Sequence, residues 1–222
     1  MNATLPATAE VETGPKPVAA VIWLHGLGAD GHDFEPAVPA LVPTPSAALR
    51  FVFPHAPVRP VTLNAGARMR AWYDIRGFER SSAQDELGVR ESDAAIRALI
   101  RRENARGIAT ERIVLAGFSQ GGAMALFSGT RLTERLAGII GLSCYLLLDG
   151  SFAAEHHSAN QATPIFLAHG SYDAVVDPRL GEQTRALLVA AGYPVEWHSY
   201  PMAHSVSAEE IAAIAAFLQR VL

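Results

Sequence analysis

The sequence predicts an α/β fold, with a mostly parallel central sheet and helices on both faces. Two observations carry this expectation. From residue 18 to the C-terminus, apolar strand-like runs alternate with helix-spaced segments, the order that builds a parallel sheet. The strand-like runs are also near-continuously apolar, as strands covered on both faces are. A chain of 222 residues, 50% of them hydrophobic, is long enough for one such domain with a substantial core.

Taken in order, residues 1–17 are polar and rich in Pro and Thr. They lack the basic start and apolar stretch of a signal peptide and read as a flexible leader, with a single domain over 18–222. Residues 18–24 (VAAVIWL) form the first strand and run into a glycine-rich loop, HGLGADG. A helix broken by prolines is expected over 33–41, and a second strand over 49–53. Residues 59–88 show no clear periodicity and read as a long functional loop, a lid or pocket wall. Apolar residues at Ala95, Ile96, Leu99 and Ile100 predict a helix over 92–107, ended by Gly107. Further strands are expected at 112–116, within 136–148, at 164–168 and at 195–200. Helices are expected after Ser119, over 178–191 up to Gly192, and over 208–222.

The segment GFSQG at 117–121 carries the most chemistry. It joins a strand to a helix, and its serine sits on the turn. Gly117 and Gly121 leave no side chain where strand and helix close on each other, so Ser119 is held clear of the chain at a helix N-terminus. This is the nucleophile elbow in the context its mechanism requires, although a tight turn with a serine cap would read the same locally.

A serine hydroxyl needs a base within hydrogen-bond reach, and the base needs an acceptor that fixes its tautomer. Ligands of parallel sheets bind beyond the carboxyl ends of the strands. Ser119, Asp173 and His204 each follow a predicted strand, in the Ser, Asp, His order of α/β hydrolases. Asp149 reads as a turn residue and Asp177, before Pro178, as a helix cap. His25 and His169 precede glycines at strand ends and organise loops. A zinc site from His25 and His32 lacks a matching ligand set, so neither metal nor organic cofactor is expected. The N–H of Gln120, next after the nucleophile, is the first candidate oxyanion donor, and the N–H of Leu27 in the HGLG loop is the second.

Composition narrows the field further. A net charge of −4 without a basic run argues against nucleic acid as a partner. The single cysteine, Cys144, precludes an internal disulfide and suits a reducing cytoplasm, the compartment expected. It lies in an apolar run and reads as a small core residue. The longest uncharged stretch, 113–130, is interrupted by glycines and makes a poor membrane span.

The chain resembles the carboxylesterase/acyl-protein thioesterase family, also called the phospholipase/carboxylesterase family. The matching pieces are LHGLGADG at 24–31, FPHAP at 53–57, WYD at 72–74, GFSQGGA at 117–123, HGSYD at 169–173 with Val175 and Val176, and MAHS at 202–205. The resemblance implies an α/β-hydrolase fold without a large cap, acting on small-molecule carboxylic esters or thioesters. It supports Ser119, Asp173 and His204 as the triad and Leu27 and Gln120 as oxyanion donors. It also implies that the 59–88 loop and Val175 line the acyl site, and a homodimer would be in keeping with it. Two departures, Ala203 beside the histidine and Asp177 after the Val-Val pair, bear on the pocket rim.

Trp72 and Tyr73 read equally as an acyl-pocket wall or as anchors of the loop, and Leu63 and Met69 are weaker pocket candidates. The expected activity is hydrolysis of short- to medium-chain esters through an acyl-enzyme. The alternatives are an acyl-protein thioesterase or lysophospholipase for long chains, a perhydrolase on the same triad, and a catalytically silent binding protein.

Overall fold

The computed structural model describes residues 5–42, 48–77 and 83–222. The elements are β1 (Thr8–Glu12), β2 (Ala19–Leu24), α1 (Val38–Leu41), β3 (Leu49–Pro54), β4 (Val58–Val61), β5 (Ala67–Arg70), α2 (Glu86–Ala105), β6 (Ile113–Phe118) and α3 (Gln120–Thr130). There follow β7 (Gly138–Leu142), α4 (Asp149–Glu155), β8 (Ile165–Gly170), α5 (Pro178–Ala190), β9 (Val195–Tyr200) and α6 (Ala208–Val221).

Seven strands form the central sheet in the order β1-β3-β2-β6-β7-β8-β9. All neighbours are parallel except β1 and β3, which run antiparallel. Residues alternate between the two faces. Ala20, Ile22 and Leu24 of β2 meet α2, α3 and Leu188 of α5 on one side. Ala19, Val21 and Trp23 meet α1 and α6 on the other. Every residue of β2 is buried, which is why its sequence reads as a run without polar alternation. This is the α/β-hydrolase architecture, and among the described residues no large cap stands over it.

The expected leader is corrected in part. Residues 8–12 form an edge strand, with Ala9 opposite Phe53 and Val11 opposite Phe51. Charge holds it there. Glu10 pairs with Arg102 at 2.7 Å and Arg106 at 2.9 Å, and Glu12 with Arg50 at 2.9 Å. These arginines converge on the buried Glu103 carboxylate, 2.8 Å from Arg50 and 3.0 Å from both Arg102 and Arg106.

The long loop expected over 59–88 is corrected too. Much of it is the β4–β5 hairpin, Val61 opposite Ala67, turning through Ala65 and Gly66 at positive φ. Its C-terminal end is the first turn of α2, which begins six residues before the expected start. The proline-broken helix expected over 33–41 is a short 3-10 turn, Glu35–Ala37, followed by α1.

Candidate active site

Strand order creates the crevice. From β2 the chain moves outward to β3, then returns to the opposite side of β2 as β6. The loops after β2 and β6 therefore diverge from neighbouring strand ends, where Leu24 pairs with Gly117. One loop carries Leu27 and the other Ser119.

Ser119 adopts φ 55° and ψ −120°, a conformation costing a non-glycine residue about 1–3 kcal/mol. Its N–H donates to Leu142 at 2.8 Å and its carbonyl accepts from Ala123 at 3.0 Å, so the bend is fixed from both sides. A Cβ at Gly121 would strike the Leu24 carbonyl, and one at Gly117 the Gly121 backbone. That contact explains the two glycines of the elbow.

Ser119, His204 and Asp173 lie in one hydrogen-bonded line. The His204 Nδ1–H donates to Asp173 Oδ2 at 2.7 Å, leaving Nε2 to accept from the Ser119 hydroxyl at 2.9 Å. The Asp173 side chain is fully buried, and its Oδ1 accepts from the N–H groups of Val175 and Val176, both at 2.9 Å. His169 is buried behind it, donating from Nε2 to the Val176 carbonyl at 2.9 Å. The ring of His204 rests on Phe118, centroids 4.7 Å apart. Such an array is able to move a proton from serine to imidazole as the serine oxygen attacks.

The HGLG loop is held by His25. Its Nδ1–H donates to the Gly26 carbonyl at 2.7 Å, and its Nε2 accepts from Ala56 N–H at 3.0 Å. Burial lowers its pKa, which keeps this neutral tautomer in place. The hairpin adds a second restraint, since Gly28 N–H donates to the Arg70 carbonyl at 2.9 Å. Among the described residues, the Leu27 and Gln120 N–H groups donate to no acceptor.

A cavity of about 220 Å³ opens at Ser119. Leu27, Tyr73, Ile75 and Tyr145 line it, as do Phe118, His204, Val175 and Val176. Val175, a residue the resemblance places at the acyl site, is among the lining residues. Trp72 and Leu63 do not line it. Trp72 is a buried anchor, its N–H bonded to Gln120 Oε1 at 2.8 Å and its indole N–H to the His25 carbonyl at 3.0 Å. Leu63 lies 42% exposed on the hairpin turn. Tyr145 was not singled out from sequence. It sits two residues past Ser143, whose φ of 47° ends the β7 run, and this kink turns it toward the site.

The competing groups are otherwise engaged. Asp177 caps α5 by accepting from Arg179 N–H at 2.9 Å, and Asp149 begins α4 rather than closing a turn. Cys144 is buried, and burial pushes its thiol pKa up. His32 pairs with Glu35, and both ring nitrogens of His25 are bonded to backbone, at Gly26 and Ala56. Among the described residues, no cluster of three His, Cys, Asp or Glu side chains is spaced for a metal. No helix of these residues is long and apolar enough to cross a membrane.

Fold and site together define an enzyme, a serine hydrolase of the α/β-hydrolase class. The phospholipase/carboxylesterase family model matches residues 6–222, and the chain belongs to that family. It is 46% identical over 209 residues to acyl-protein thioesterase 1 of Neurospora crassa, covering 90% of this chain and 85% of that one. It is 41% identical to acyl-protein thioesterase 1 of Gibberella zeae, covering 92% and 91%. The crystal structure of Arabidopsis thaliana SOBER1 superposes with a TM-score of 0.86 at 33% identity, over 91% of this chain and 98% of that one.

Proposed function

We propose that the protein hydrolyses carboxylic esters and thioesters of short- to medium-chain acids through an acyl-enzyme on Ser119. The observation that carries this reading is the continuous line of hydrogen bonds from Asp173 through His204 to Ser119. Ser119 attacks the acyl carbonyl as His204 takes its proton, and Asp173 stabilises the imidazolium. The oxyanion is held by the N–H groups of Leu27 and Gln120, fixed in advance by the His25 bonds and the elbow. His204 then protonates the departing thiol or alcohol. Water, deprotonated by His204, releases the acid and frees Ser119. The chemistry requires no metal or organic cofactor.

The space beside Ser119 supports acids of this length. A volume of about 220 Å³ lies below the roughly 300–1,000 Å³ of pockets that bury drug-sized ligands. A second reading, long-chain deacylation of proteins, is favoured by the 46% identity to a protein named acyl-protein thioesterase 1.

The deciding experiment measures kcat/KM for p-nitrophenyl esters from acetyl to palmitoyl and for an S-palmitoylated peptide, with Ser119→Ala as control. A maximum at short chains that the variant abolishes supports the first reading. A maximum at long chains with rapid peptide deacylation selects the second. Activity that survives Ser119→Ala refutes both.

A further inference from the structure

Two polar groups at the acyl site have no part in the chemistry above. Tyr73 and Tyr145 line the cavity beside Ser119, and their phenol oxygens lie 3.3 Å apart. Tyr73 is 3% exposed and Tyr145 is partly buried. Two phenols carry two O–H donors, and their mutual contact uses one. Among the described residues neither hydroxyl has another protein partner. One O–H is therefore left to find an acceptor in the cavity. Burial raises the pKa of both phenols, so they remain neutral donors through the neutral pH range.

The placement of the pair decides which part of a substrate meets it. Tyr145 and Leu27 pack, with Tyr73 and Ile75, on the core under one face of the sheet. Phe118 packs on the core of the other face and carries the His204 ring. The leaving group must face His204, which protonates it. The acyl group then turns toward Leu27, Tyr73, Ile75 and Tyr145. Leu27 and Ile75 offer methylenes an apolar surface, and the phenols offer a hydrogen bond.

We propose that the Tyr73–Tyr145 hydroxyl pair selects oxygenated acyl groups, with a hydroxyl, oxo or ether oxygen along the chain, over plain alkyl chains of equal length. The inference rests on the Ser119 esterase reading. A plain chain displaces water from the pair and leaves one donor dry. A chain oxygen accepts that donor. Sites built around such a bond reject the analogue that lacks it, because the protein group is then buried unpaired.

The test compares p-nitrophenyl hexanoate with the isosteric methoxybutanoate, in which an ether oxygen replaces one methylene near the chain end. Each kcat/KM is divided by the ester's spontaneous hydrolysis rate. Wild type is expected to favour the ether ester by about ten-fold, the order that one unsatisfied buried hydroxyl costs. The double variant Tyr73→Phe/Tyr145→Phe, which removes both donors, should shift the ratio toward unity, chiefly by faster hydrolysis of the hexanoate, whereas either single variant keeps one free donor and the preference. Equal rates for the two esters in wild type, with both lost in Ser119→Ala, overturn the selection and leave the esterase reading standing. A wild-type preference that the double Phe variant retains also overturns it. Hydrolysis of neither ester overturns the selection and the esterase reading together.

Discussion

Gln120 and Trp72 are joined across the site by a hydrogen bond of 2.8 Å from the Trp72 N–H to Gln120 Oε1. The same carboxamide donates from Nε2 to the Tyr73 carbonyl, also at 2.8 Å. One buried side chain on the elbow helix thus holds the backbone that presents Tyr73 to the cavity. Ser92 secures the same segment from α2 by donating to the Trp72 carbonyl. Gln120→Ala would strand a buried N–H and a buried carbonyl, costing about 2 kcal/mol. Urea unfolding should show that loss. The variant's kcat/KM should fall about ten-fold as the wall loosens.

The strained elbow predicts a trade between activity and stability. Ser119→Gly removes the proposed nucleophile and relieves a φ of 55°. Its Tm should rise by an amount equivalent to about 1 kcal/mol, while kcat falls by about 10⁴-fold or more. Asp173→Asn should lose activity on a similar scale without that gain, because it leaves the Ser119 backbone as it is. Calorimetry beside ester hydrolysis separates the two effects. A Ser119→Gly variant no more stable than wild type would show that the elbow stores no strain.

The His25 bonds predict a kinetic signature. His25→Leu keeps the bulk but frees the Gly26 carbonyl and the Ala56 N–H, loosening the loop that carries Leu27. Loss of one oxyanion donor typically costs about 10²–10³ in kcat. The fall should appear in kcat with little change in KM, since the donors act on charge that develops only in the transition state. An effect confined to KM would place His25 in substrate binding instead.

Glu103 is the pin of the β1 network. Its carboxylate is fully buried among Arg50, Arg102 and Arg106. Glu103→Gln leaves the buried Arg50 guanidinium without that anion and should cost about 3–5 kcal/mol. Replacing Arg50 and Glu103 together with apolar residues of similar size should cost much less. Denaturant curves of the single and double variants check this.

Glu210 makes stability depend on pH in the opposite sense from a paired carboxylate. It is fully buried in the first turn of α6 with both oxygens unpartnered. Burial lifts its carboxyl from the ordinary 4.5 to about 7. The folded state therefore keeps a proton that the unfolded chain has released. Its contribution is intact below about pH 4.5 and is lost as pH rises through about 7. Glu210→Gln keeps the N–H bond to Ser207, 3.1 Å long, and carries no charge. It should exceed wild type in stability by about 3 kcal/mol above that range and match it near pH 4. A constant difference across pH would show that Glu210 is not ionising in the folded state.

Buried elements were the most legible. β2, read at 18–24 and found at Ala19–Leu24, matches to within a residue because it is covered on both faces and its run is continuously apolar. The three residues now in one hydrogen-bonded line were also readable, each standing just past a strand. The hairpin was not. β4 and β5 have four residues each, too few for a period, and their turn signal at Asn64-Ala65-Gly66 had no flanking alternation to frame it. β1 was hidden for a different reason. Its acidic residues look solvated until Arg102 and Arg106, some 90 positions later, arrive beside them.

The sequence by itself determined the alternation of strand and helix, the elbow at Ser119 and the order Ser, Asp, His, since each depends on neighbours within one strand–loop–helix unit. Only the tertiary structure decided that Trp72 is an anchor and Tyr73 a wall, that Leu63 stays outside the cavity, and that Tyr145 faces Tyr73. Those outcomes depend on which backbone atoms Gln120 and His25 reach across separations of 48 or 31 positions. Local periodicity carries no record of hydrogen bonds that close only when the sheet has assembled.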